Sequence, residues 1–375
     1  MKIGIITFWW SQDNYGQILQ CYALQKYLRD MGHDAFLIRY LSDGDIVRTP
    51  IWKKIFKAFN IPVLIKYIKQ NSSVKKIDEE KKSNNRFFDV FKNKYIVQSD
   101  IIYHKYSDLQ KNPPCADIYI VGSDQVWNPF YIGGNKMEMF KNIANVYFLN
   151  FGNAKRVSYA ASWGVKKLSK SEINIIKPLL AKFDYVSVRE ESGIDLCKKC
   201  GYENAEWVAD PTMLLSASIY RNLYKNSVVK EIKERYIFLY LLNNKHEISL
   251  DEIYAFGKKN GLKIVYVTGN SMFDKKEKCY AQIEEWLYYI DNAEFIITDS
   301  FHCGVFSTIF KKQYGILPLV GEKKEMNARF DSLFSRYEIA PRYLKSDDFH
   351  ELYKEYSPNS FSFDFNHKLE SIISK

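Results

Sequence analysis

Apolar residues dominate positions 2–8, recur at helical spacing through Leu24, Tyr27, Leu28 and Met31 before Gly32, and return to a strand pattern over 34–40. This order predicts a βαβ unit over the first forty residues. In a parallel sheet the turn after the first strand lies at the carboxyl edge, where ligands bind, and here that turn is 9–17. Strand-like runs follow at 117–121, 146–151, 157–161 and 185–188. A helix over 171–183 separates the last two, with Ser169 and Glu172 at capping-box spacing and Pro178 inside the pattern. Another helix stops at Gly201, and 202–235 reads as a connection between domains.

The second half repeats the alternation. Strands are expected at 236–242, 262–268, 293–298 and 314–318, with helices ending near Asn260 and over 281–290, 302–310 and 327–337. The expected fold is therefore α/β, with two Rossmann-like doubly wound domains, 1–205 and 206–345, facing a cleft between their carboxyl edges. Residues 346–375 are expected to form a helical tail that packs back.

The chain has 375 residues, 46% of them hydrophobic and 16% aromatic, which is ample for a core and excludes a disordered or disulfide-stapled class. A net charge of +10 suggests a nucleic-acid binder at first sight. Residues 48–94, however, hold thirteen Lys or Arg against four acids and carry nine of those charges, so the excess belongs to one insertion and no nucleic-acid partner is expected. Within it, 51–69 places Ile51, Trp52, Ile55, Phe56 and Phe59 on one helical face, with Lys53, Lys54 and Lys57 mostly off it and Pro62 interrupting the run. The pattern fits peripheral docking at a membrane surface and equally a surface helix packed on the first domain.

No run reaches the roughly 18 apolar residues of a membrane span. The apolar N-terminal run is too short for a signal peptide, so a cytoplasmic location with reduced cysteines is expected, possible contact with the inner membrane face aside. Cys197 and Cys200 have metal-like spacing but no second pair, and no metal is expected.

Four loops at the expected cleft carry chemistry. In Asp13-Asn14-Tyr15-Gly16-Gln17, Asn14 and Gly16 fit an approach of backbone N–H groups to an anion or sugar hydroxyl, and equally a plain helix cap. In Gly122-Ser123-Asp124-Gln125-Val126-Trp127, Asp124 suits a base or a hydroxyl-binding group and Trp127 offers a flat face for a sugar; a tight turn over a buried Trp also fits. Arg189 ends a strand where a helix begins, placed for a phosphate or carboxylate, with an ion pair to Glu190 or Glu191 as the alternative. In Thr298-Asp299-Ser300-Phe301-His302, a histidine falls in the first turn of a helix beside a carboxylate, which suits acid/base work with Asp299 as its orienting group. A packing histidine is the plain alternative.

The Asn14-Tyr15-Gly16 loop, 122–127, 157–162, 187–190, Val208-Ala209-Asp210-Pro211-Thr212 and 298–302, taken in order, resemble the polysaccharide pyruvyl transferase family over roughly residues 1–340. The resemblance implies a fold like that of GT-B glycosyltransferases and transfer of pyruvate from phosphoenolpyruvate to a hexose as a cyclic ketal, with no cofactor. It implies a donor-binding role for Arg189 and a mechanistic role for His302. Some members have an Arg where this chain has Ser300, and Arg329 is the expected replacement. The acceptor would be a hexose-containing glycan or lipid-linked oligosaccharide. A nucleotide-sugar glycosyltransferase and a non-catalytic binder of anionic glycans are the rival readings.

Overall fold

The computed structural model describes residues 1–42, 85–133, 137–243, 245–268, 274, 276–345, 349–354, 370 and 373. Seven strands, β1 (Lys2–Ile6), β2 (Asp34–Tyr40), β3 (Gln98–Tyr103), β4 (Ile118–Val121), β5 (Lys155–Ala161), β6 (Tyr185–Val188) and β7 (Glu206–Trp207), form one parallel sheet. Its order is β3-β2-β1-β4-β5-β6-β7. Four more, β8 (Tyr236–Leu241), β9 (Lys263–Thr268), β10 (Phe295–Thr298) and β11 (Tyr314–Ile316), form a second parallel sheet in the order β11-β10-β8-β9.

The central strands β4, β8 and β10 read IYIV, YIFLYL and FIIT and are buried along their whole length, as expected where helices cover both faces of a parallel sheet. The strand order reverses between β1 and β4 in the first sheet and between β8 and β10 in the second. Such reversals splay the loops that follow the strands and open a crevice at the carboxyl edge. Both crevices contribute to one cavity, described below.

The halves are joined by the helix Tyr15–Asp30, which follows β1. The Tyr15 hydroxyl donates to the Ala281 carbonyl at 2.6 Å, and its ring stacks on Trp286 at 5.1 Å. One apolar cluster runs from Ile18 and Leu24 of this helix to Tyr220, Trp286 and Phe306 of the second half.

Several expectations need correction. The first sheet does not end at 205, because Ser187 and Val188 of β6 pair with Glu206 and Trp207. Residues 208–235 are more than a connection: a 3-10 turn, Pro211–Leu214, and a helix, Ala217–Lys225, lie there, and Arg221 grips Asp291 through Nε and Nη2 at 2.7 and 2.9 Å. The apolar run 146–151 is not a strand. It is the end of the helix Met137–Tyr147 and a turn in which Leu149 adopts φ of 53°. Its apolar character comes from packing, with Phe148 stacked on Trp127 at 4.9 Å.

Of the basic insertion, only 85–94 falls within the described residues; it leads into a helix, Phe88–Tyr95, whose Phe88 and Phe91 are buried against Tyr15 and Tyr22. The amphipathic segment 51–69 lies outside the described residues. The tail contributes a helix, Phe349–Lys354, with Phe349 stacked on Phe256 at 5.0 Å, and Glu370 accepts a hydrogen bond from Tyr27 at 3.0 Å; most of the rest lies outside the described residues. No helix among the described residues is long and apolar enough to cross a membrane.

Candidate active site

The loops at the two reversals enclose a cavity of about 500 Å³. The first sheet supplies Trp10 to Asn14 and Gln17 after β1, Asp124 and Gln125 after β4, and Tyr131. The second supplies Leu242 and Asn243 after β8, Asp299 to His302 after β10, and Arg329 with Leu319 and Met326.

His302 is the second residue of the helix Phe301–Ile309, which Ser300 caps by accepting from the Cys303 N–H at 3.4 Å. The imidazole rests against the first turn of the helix from the other domain. A Cβ added at Gly16 would stand 2.3 Å from both Cγ and Nδ1 of His302. Gly16 is thus a seat for the ring, a tertiary requirement that the helix cap alone does not impose. Asn14 does cap that helix, accepting from the Gln17 N–H at 3.3 Å, and also lines the cavity.

The carboxylate beside His302 is Asp210, not Asp299. Nε2 of His302 lies 3.5 Å from Oδ2 of Asp210, at ion-pair distance, and makes no hydrogen bond. Asp210 is 2% exposed. Its Oδ2 accepts from the Ser123 hydroxyl at 2.8 Å and from Nη1 of Arg189 at 3.0 Å, and its Oδ1 accepts from the Thr212 N–H and hydroxyl at 3.0 and 2.7 Å. Burial alone would raise its pKa, but His302, Arg189 and the Thr212 N–H outweigh it and hold the carboxyl well below the usual range.

Asp299 faces the other way. Its oxygens accept from the N–H groups of Leu242 and Asn243 at 2.7 and 2.8 Å, from the Asn243 amide at 2.8 Å, and lie 2.9 Å from Nε2 of His246. The expectation that Asp299 orients His302 is therefore corrected: it ties the end of β8 to the end of β10 and shapes the cavity wall.

The two arginines differ in the same sense. Arg189 is buried behind the cavity wall, bonded to Asp210 and, at 3.2 Å, to the Ser123 hydroxyl, with Nε 3.5 Å from Glu190. Although burial opposes its charge, Glu190 and Asp210 raise its pKa. Its charge is thus already balanced by two carboxylates. Arg329 lines the cavity, donates from Nε to the Met326 carbonyl at 3.1 Å, and forms no ion pair with a carboxylate among the described residues. Burial first, and then the charge of Arg189, push its pKa down, which leaves it the less compensated cation. Phe301 lies between these roles, with its ring 4.6 Å from the Arg189 guanidinium and 5.7 Å from that of Arg329.

Among the remaining candidates, Asp124 lines the cavity with φ of 73°, its carboxylate accepting from the Gln125 N–H at 2.9 Å and its carbonyl from Ser162 N–H at 3.0 Å. Ser123 is fully buried one layer back, as the partner of Asp210. Trp127 is corrected outright: it is fully buried, stacks on Phe148, and donates its indole N–H to the Tyr147 carbonyl at 3.0 Å, so it offers no face to a sugar. The sequence marks Asp210 only through the Asp-Pro-Thr signature of the turn it caps, which gives no sign of its contact with His302. Among the described residues no group of three or more His, Cys, Asp or Glu could hold a metal ion.

The model of the polysaccharide pyruvyl transferase family matches residues 14–313. The chain belongs to that family. The match spans the cavity loops after β8 and β10 and the Asp210 turn alike. A search of curated proteins finds no match. Among solved structures, UDP-GlcNAc 2-epimerase from Neisseria meningitidis, bound to UDP-GlcNAc, is similar with a TM-score of 0.52 at 9% identity, covering 100% of this chain and 99% of that one. The UDP-GlcNAc 2-epimerase from Methanocaldococcus jannaschii gives 0.51 at 12% identity, covering 100% and 99%, and an alpha-glucosyltransferase in complex with UDP gives 0.50 at 10% identity, covering 100% of both chains. At such identities the likeness shows the fold, which is that of GT-B glycosyltransferases and related epimerases.

Proposed function

We propose that this transferase moves a pyruvyl group from phosphoenolpyruvate to two hydroxyls of a hexose in a surface polysaccharide or its precursor, forming a cyclic ketal. The observation that carries the reading is the cavity lining, which His302, its Nε2 3.5 Å from the buried Asp210, shares with the less compensated cation Arg329. An acid/base group next to an anion-binding cation is what addition to an enol phosphate requires.

Arg329 and the N–H groups of the first turn after Ser300 hold the donor's phosphate and carboxylate. His302 delivers a proton to C3 of the enol, and C2 becomes electrophilic. A sugar hydroxyl adds to C2 and gives its proton to Asp124. The C2–O bond to phosphate then breaks as the second hydroxyl closes the ring; one released proton restores His302 and the other leaves with phosphate. General acid/base assistance of this kind contributes roughly 10² to 10⁴ in rate. Arg189 does not touch the donor in this reading; with Ser123 and Thr212 it holds Asp210 in place.

The same cavity and fold would also accept a nucleotide diphosphate, as the likeness to UDP-bound structures illustrates, so a glycosyl transfer is the reading to test against. Mass spectrometry of the acceptor decides: pyruvyl transfer adds pyruvate less water and releases phosphate, whereas glycosyl transfer adds a hexose unit, and unchanged mass with either donor leaves only binding.

A further inference from the structure

A second hollow, of about 750 Å³, opens at the same carboxyl edge of the first sheet, beyond the ends of β2 and β3. We propose that it binds the sugar units of an oligosaccharide acceptor that lie beyond the hexose held in the first cavity. Its walls favour a neutral polyhydroxylated ligand over an ionic one. Ser107, Gln110 and Asn142 offer uncharged donors and acceptors, Tyr106 offers ring surface, and the two full charges, Lys105 and Glu138, offset one another. The hydroxyl of Tyr106 is already bonded to Asn150, at 2.6 Å to its carbonyl and 3.0 Å from its amide, which fixes the ring. The volume lies within the roughly 300 to 1,000 Å³ of ordinary ligand sites.

The two cavities lie on consecutive, packed elements. Tyr131, on the short helix Pro129–Gly133, lines the first, whereas Met139 and Asn142, on the helix Met137–Tyr147, line the second. A Cβ at Gly133 would stand 2.3 Å from Phe140 Cβ, so the helices touch. Phe130 and Tyr131 leave 68% and 44% of their surface exposed on the short helix, apolar faces of the kind that bind partners. A glycan whose reacting hexose sits beside Asp124 can cross this rim into the second hollow.

The inference rests on the glycan-acceptor reading in its choice of ligand, but its test does not require transfer. The full chain is probed on an array of short bacterial surface oligosaccharides and their component monosaccharides. Wild type should bind a subset of oligosaccharides at least about tenfold more tightly than the monosaccharides. Ser107→Trp and Asn142→Trp, two exposed positions on different walls, should each remove that gain while monosaccharide binding persists, and His302→Ala should keep it. Oligosaccharide binding unaffected in both filled variants overturns the proposal, as does a wild type with no preference for oligosaccharides. A failed pyruvyl transfer with the array result intact would instead remove the transfer reading and leave the glycan site standing.

Discussion

Gly16→Ala measures how tightly the two domains meet at His302. The added Cβ would lie 2.3 Å from Cγ and Nδ1 of His302 and 2.5 Å from its Cβ, about 1.2 Å inside an ordinary carbon contact of about 3.5 Å. The contact includes the root of the side chain, so rotating the ring cannot relieve it, and either the helix or the imidazole must move by about 1 Å. Overpacking of this kind costs about 1–3 kcal/mol, opposed by the about 0.5–1 kcal/mol that Ala gains over Gly within a helix. Displacing a reacting group by about 1 Å can cost on the order of 10² in rate. Urea unfolding should therefore show a loss of stability in the wild-type background. In a His302→Ala background, where the ring is gone, the same substitution should be neutral or stabilising by up to about 1 kcal/mol. A Gly16→Ala protein that is stabilised with His302 present would refute the geometry, and with it the seat proposed for the ring.

Other perturbations separate the roles of the neighbouring groups. His302→Ala should keep the fold and lower ketal formation by at least about two orders of magnitude, followed by phosphate release from phosphoenolpyruvate. Arg329→Ala should weaken binding of phosphoenolpyruvate in calorimetry with little change in melting temperature, whereas Arg189→Ala, which leaves Asp210 and Glu190 without their buried partner, should cost about 3–5 kcal/mol of stability. Asp210 has a depressed carboxyl, so its contribution is present in full above the unfolded value of about 3.9 and is lost as pH falls below it. The stability gap between wild type and Asp210→Asn should thus be widest near neutral pH and narrow in acid, as read by denaturant unfolding at several pH values.

Most strands were legible because a buried parallel strand writes itself as an apolar run, as in the IYIV of β4 and the YIFLYL of β8. The edge strand β3, QSDIIY, was not, since its first three residues are polar and its two isoleucines, Ile101 and Ile102, are exposed, which leaves no alternation of buried apolar positions to read. The run 146–151 misled for the opposite reason: its apolar side chains pack around Trp127, not in a sheet. The cleft loops were legible by their place after strands, and so was His302. Its partner was not. Asp299 is three residues away in sequence, but the turn from strand to helix sends its carboxylate back to β8, while Asp210, brought in by the capped turn after β7, reaches Nε2. Arg189 stood at the expected strand end, and of the two carboxylates that balance its charge Glu190 was the sequence neighbour already weighed, whereas Asp210, 21 residues on, was not legible.

The most direct test of the central claim is a crystal of the protein soaked with phosphoenolpyruvate. The donor should lie in the cavity between the ends of β1 and β10, its anionic groups on Arg329 and C3 facing the His302 imidazole. Phosphoenolpyruvate bound elsewhere, or a cavity that admits a nucleotide sugar and excludes it, would contradict the account.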